Sequence, residues 1–162
     1  MKRVLVLVAL TLVMSLFMSS CKDEDETTGP SDVTLGEMSA TVGGSEWKAG
    51  NAYYYNATDH VSGIYNPEPL TNPTKQTSIS VKLGQIGGEP TVGTHVAVCF
   101  YQESEGIPPN STVSTWNATN GSCEITEVTD EHVKGTFSFT GTNVDDNNST
   151  KSVSGKFYTP RQ

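Results

Sequence analysis

Val133-Lys134-Gly135-Thr136-Phe137-Ser138-Phe139-Thr140 runs up to Gly141 with apolar or small residues alternating strictly with polar ones. An unbroken period of two is the pattern of a β-strand with one face buried and the other in water. Ser152-Val153-Ser154-Gly155-Lys156-Phe157 repeats it a short way on. Asp145-Asp146-Asn147-Asn148 lies between them, and these are turn-forming residue types. The two stretches therefore predict a hairpin.

The same signal recurs outward from that hairpin. Met38, Ala40 and Val42 alternate with Ser39 and Thr41 before Gly43-Gly44, and Ile79, Val81 and Leu83 alternate with Ser78, Ser80 and Lys82 before Gly84. Less regular β segments cover 51–58, 60–65, 94–102, 111–117 and 122–129, and no segment after Cys21 carries a sustained helical period. Eight or nine short strands predict an all-β domain, a single antiparallel β-sandwich or barrel. Composition agrees, with 12 Val and 5 Ile against 3 Leu from position 21 onward and 38 Ser plus Thr in the chain. Branched and hydroxyl residues at that excess favour strands over helices.

One register follows from sequence. A two-residue turn at Asp130-Glu131 sets Val128 opposite Val133, and strict alternation would then turn Thr126, not Ile125, to the core. A one-residue bulge near Glu127 restores Ile125 and Cys123 to the apolar side, opposite Gly135 and Phe137.

The first residues carry an address. Lys2 and Arg3 precede an apolar run from Val4 to Met18, shorter than the roughly 20 residues a membrane-spanning helix needs. Met18-Ser19-Ser20-Cys21 then places a cysteine after two small residues, followed by Lys22-Asp23-Glu24-Asp25-Glu26. This stretch resembles a lipoprotein signal peptide with its lipobox, which implies that Cys21 becomes a lipidated N-terminus. Met18 departs from the usual leucine at that position. The Lys-Asp-Glu run is similar to the export signal of surface lipoproteins in Bacteroidota-type envelopes, which implies outer-membrane anchoring with exposure at the cell surface. The expected organisation is a signal peptide at 1–20, a lipidated flexible acidic tether at 21–34 and an extracytoplasmic all-β domain at 35–162.

Charge narrows the partners. The 162-residue chain has 10 basic and 18 acidic side chains and a net charge of −8. Nucleic acid needs a basic surface and is excluded as a partner. Loss of residues 1–20 removes Lys2 and Arg3, so an anionic body has to be held at the membrane by its N-terminal lipid, not by its surface.

Two readings stand for Cys99 and Cys123: a disulfide, which an exported protein allows, or two buried thiols packing as small apolar groups. Cys99 alternates with Val96, Val98 and Phe100, which points it to the face opposite Cys123 and favours the two thiols. Catalytic and cofactor motifs are absent, with no Gly-x-Ser-x-Gly, His-Glu-x-x-His, Cys-x-x-Cys or phosphate-binding glycine pattern. His60, His95 and His132 are scattered without a second ligand at metal spacing. No cofactor and no metal are expected. The oxygen-rich run 145–148 reads either as calcium ligands or as a solvated hairpin loop.

Aromatic residues carry the strongest hint of recognition. Trp47, Tyr53-Tyr54-Tyr55 and Trp116 are large rings for a small β domain, of the kind that stack on sugars or anchor protein interfaces. On a strand, Tyr54 must face one way and Tyr53 with Tyr55 the other, so one set is core. Trp47, after a Gly-Gly turn, is expected to plug the end of the core.

Thr41-Val42-Gly43-Gly44-Ser45-Glu46-Trp47-Lys48-Ala49 is similar to the opening of a family of small Bacteroidota-type lipoproteins of unknown function. The Gly-Thr-Phe-Ser-Phe strand at 135–139 and the Gly-Lys-Phe strand at 155–157 resemble that family's closing hairpin. The resemblance implies an all-β extracytoplasmic domain and carries over no catalytic or binding residue. Three functional expectations follow: a non-catalytic surface module binding a glycan or a protein, an accessory lipoprotein partnering an outer-membrane complex, and, ranked last, a hydrolase with an unfamiliar site.

Overall fold

Phe137 stands opposite Gly155, and Phe157 opposite Gly135, on the paired strands β8 (His132–Asn143) and β9 (Ser149–Pro160). Each ring occupies the space that its glycine partner leaves. A Cβ on Gly135 would lie 2.7 Å from Phe157 Cζ, and one on Gly155 would lie 2.6 Å from Phe137 Cζ. The rings stack with centroids 6.4 Å apart, and Phe139 continues the stack at the same spacing. A fully buried phenyl group contributes roughly 1.5–3 kcal/mol, so this seam is a large part of the core.

The structure is a computed structural model that describes residues 32–65, 75–83, 89–106 and 110–162. The leader, Cys21 and the acidic run after it lie outside the described residues. Before the hairpin come β1 (Glu37–Val42), β2 (Ser45–Ala49), β3 (Asn51–Tyr55), β4 (His60–Tyr65), β5 (Lys75–Lys82), β6 (Gly93–Glu105) and β7 (Thr112–Val128). All nine strands form one antiparallel sheet in the order β2-β1-β9-β8-β7-β6-β5-β4-β3. The sheet curls into a nearly closed barrel. Its free edge at β3 is met by the chain end: Gln162 N–H donates to Tyr54 O (2.8 Å), and Asn56 N–H donates to Gln162 O (2.9 Å). Ala52 N–H reaches Gly36 O beside them (2.8 Å).

The expected all-β sandwich or barrel is present as a nearly closed barrel, with two corrections to its strands. Segments 111–117 and 122–129 are one strand, β7, with a register shift between Asn117 and Ser122. Within the gap left at 118–121, Gly121 faces inward, where a Cβ would sit 2.5 Å from Cys99 Sγ. The glycine is there for space and the strand runs through it. β6 to β9 are therefore 12 to 17 residues long, not short. Residues 45–49 are also a strand, paired with β1 through Ala40↔Trp47, across the tight Gly43-Gly44 turn.

The register expected after β7 is present. Val128 pairs with Val133, the ladder shifts between Ile125 and Glu127, and Ile125 and Cys123 oppose Gly135 and Phe137. Thr129 N–H donates to His132 O (2.9 Å) across the Asp130-Glu131 turn.

Candidate functional site

Inward and outward rows across β3 to β6 define the site. The inward row Tyr54–Val61–Val81–Cys99 is fully buried. One residue along, the outward row reads Tyr55–His60–Lys82–Val98, and the next reads Tyr53–Ser62–Ser80–Phe100. A third, Asn51–Ile64–Ser78–Gln102, completes the face. Tyr53 and Tyr55 are half-buried on this outer surface with ring centroids 6.4 Å apart. His60 stacks on Tyr55 at 4.6 Å, and its Nδ1 is bonded to the Thr58 hydroxyl at 2.5 Å. Burial, and then the charge of Lys82, lower the His60 pKa, although Asp59 acts the other way. The imidazole is therefore neutral at pH 7. Rings, hydroxyls and amides thus share one surface, with no carboxylate in any of the three rows.

The other aromatic candidates belong to the core. Tyr54 points into the barrel, where its hydroxyl donates to the buried Asp59 carboxylate. Trp47 donates from Nε1 to Thr77 Oγ1 across the interior (2.7 Å). Trp116 donates to Ser149 Oγ (3.2 Å), with Lys151 Nζ 3.9 Å from its ring centre. Their polar atoms are satisfied inside the protein and their faces are packed, so ligand stacking on Trp47, Tyr54 and Trp116 is ruled out in this arrangement. Trp47, 7% exposed, borders a hollow of about 230 Å³ shared with Ser39, Glu46, Lys48 and Tyr65. A second hollow, of about 340 Å³, lies over β1, β8 and β9 and is lined by Thr41, Ser138, Thr140, Ser152 and Ser154, with no outward ring or charge.

Cys99 and Cys123 are both buried free thiols, which corrects the disulfide reading. They do share the inner face, but Cys123 stands opposite His95, four positions along β6 from Cys99. Four residues of strand span about 13 Å, beyond the Cα separation of about 7 Å that a disulfide tolerates. Burial pushes both thiols up to about 12. His95 faces Cys123 across the strands, yet its Nε2 bonds the Thr91 carbonyl oxygen at 2.7 Å. A thiol raised by burial stays protonated at neutral pH and is not a nucleophile.

His132 bonds Glu127 at 2.6 Å, and Glu127 also holds Lys134 at 2.9 Å. The three histidines thus have three different partners. No group of three or more His, Cys, Asp and Glu side chains is placed to hold a metal ion among the described residues. Residues 145–148 form the β8–β9 turn, with Asn147 and Asn148 at φ 47° and 58° and Ser149 N–H donating to Asp146 O (2.7 Å). Asparagine tolerates that left-handed backbone, so the run is accounted for as a hairpin loop.

Sequence reasoning placed Tyr53 and Tyr55 together but missed Lys82, Ser80 and Phe100 as their neighbours. Only the cross-strand register of four strands brings them to one face. No family model, curated protein or solved structure matches this chain.

Proposed function

We propose that this protein is a lipid-anchored, non-catalytic binding module of the cell envelope, and that the outer face of β3 to β6 binds a glycan. The observation that carries the reading is the pair Tyr53 and Tyr55, outward-facing and 6.4 Å apart, set among Ser62, Ser80, Asn51 and Gln102. Rings beside hydroxyl and amide groups match the two faces of a pyranose, apolar C–H on one side and hydroxyls at the rim. A protein partner would instead want a contiguous apolar patch. The exposed large apolar residues, including Leu35, Ile64, Val96, Val113 and Val144, are spread over different strands and turns.

Affinity electrophoresis of the full-length protein through polysaccharide gels tests the reading. The Tyr53→Ala/Tyr55→Ala variant is expected to bind about tenfold more weakly with little loss of stability, because both rings face outward. Unchanged retention in that variant would remove this face from consideration.

Anchoring rests on Cys21. Asp32, the first described position, lies eleven residue steps after it, and a fully extended chain of that length spans at most about 40 Å. Cys21→Ala is expected to abolish incorporation of a labelled fatty acid and move the protein from the membrane to the soluble fraction. Label retained in the variant would sink the anchor.

A further inference from the structure

We infer that the glycan bound on the β3–β6 face is acidic, with a carboxylate or sulfate group seated at Lys82 and His60 and its sugar ring against Tyr55. This rests on the glycan reading and adds the charge class of the ligand.

Acids outnumber bases in this chain by 18 to 10, so a basic side chain finds a carboxylate easily. Lys48 and Lys75 do so with Glu37 and Glu103, Lys134 with Glu127, and Lys151 with Glu103. Lys156 pairs with Asp32, and Arg161 with Glu89. Among the described residues Lys82 is the one Lys or Arg without such a partner. It is also the one charged group in the three outward rows around Tyr53 and Tyr55. Its register neighbours are His60 and Val98.

Beside it, the Thr58 hydroxyl can donate to His60 Nδ1, which leaves the Nε2–H free to donate outward. An ammonium and an imidazole N–H, both donors, then stand in one row with an aromatic ring. Asp59 is the carboxylate adjacent in sequence, but it is buried and occupied by Tyr54. Two donors without an acceptor, on an otherwise anionic protein, complement an anionic group. The Tyr55 ring next to them makes that anion part of a sugar instead of a free ion.

The test is a glycan array carrying neutral, carboxylated and sulfated chains of many linkages, probed with full-length protein and with Lys82→Gln. The expected result is that the strongest signals come from acidic chains, weaken about tenfold in Lys82→Gln and fall as salt rises. Signals from neutral chains should weaken less in Lys82→Gln than those from acidic chains. Strongest binding to neutral chains, or acidic binding indifferent to Lys82→Gln, overturns the charge assignment while leaving the glycan reading standing. Competition by polyglutamate as effective as that of the acidic glycan overturns the sugar component. An array with no signal overturns both.

Discussion

Gly155→Ala is expected to destabilise the domain by about 3 kcal/mol, the upper end of what one added methyl does to a filled core. The new Cβ would overlap the Ser39 carbonyl oxygen on β1, and it would lie 2.6 Å from Phe137 Cζ and 2.8 Å from Ala40 Cβ. A phenyl ring can tilt away, but the carbonyl cannot. It belongs to the backbone of β1, which pairs with β9 through Ala40↔Gly155. The strain therefore falls on the ladder that joins the first and last strands of the chain. Urea denaturation should show a lower midpoint at an unchanged slope. Ser154→Ala, one residue away on the outer face, should stay within about 0.5 kcal/mol of the parent. Adding Phe137→Leu to Gly155→Ala should recover only part of the loss, because the carbonyl contact remains. An unshifted midpoint for Gly155→Ala would mean that β1 is not seated on β9 as described.

The glycine–phenylalanine exchange also explains how much of this fold is legible in sequence. Period-two alternation identifies β8 and β9 because Gly135 and Gly155 keep their places in the pattern even though they bury no side chain. The bulge after Ile125 is legible too, since two apolar residues on the wrong parity demand it. Tyr53, Tyr54 and Tyr55 must split between two faces on any strand, and they do. What escapes is whatever depends on a partner strand. The continuity of β7 through 118–121 shows only once Gly121 is placed against Cys99. The Ser45–Ala49 strand follows a glycine turn and has only Trp47 and Ala49 turned inward, too short a pattern to stand out. Barrel closure rests on backbone bonds from Gln162 to Tyr54 and Asn56, which leave no trace in side-chain periodicity. The site divides along the same line. Two tyrosines are visible in sequence, whereas the unpaired state of Lys82 emerges only when every other Lys and Arg among the described residues has been matched to its carboxylate.

Asp59→Ala is expected to cost about 3 kcal/mol, although the residue lies in a turn. Its carboxylate is buried and accepts the Tyr54 hydroxyl, and its backbone has φ 49°. Alanine would strand a fully buried phenol, at about 1–3 kcal/mol, and would hold a left-handed conformation that aspartate tolerates better, at about 1 kcal/mol more. No buried side-chain nitrogen or oxygen lacks a partner among the described residues, so such a defect would be new to this core. Asp59→Asn keeps both an acceptor oxygen and the tolerance for positive φ, and should cost under about 1 kcal/mol. Tyr54→Phe removes the donor instead and leaves a buried carboxylate short of its partner, so it should also destabilise strongly. Combined with Asp59→Ala it should cost clearly less than the two single changes together, because one contact cannot be lost twice. Burial, followed by the bond to Asp59 and its charge, raises the Tyr54 pKa, so the folded protein keeps the phenol protonated after an unfolded tyrosine would ionise. That contribution is whole below about pH 10 and is lost as pH rises beyond it. Denaturation midpoints across that range should fall in the parent, and fall less in Tyr54→Phe. Additive single and double variants would show that the turn and the strand do not share this bond, and the end of the barrel near Tyr55 and His60 would then lack the anchor that positions it.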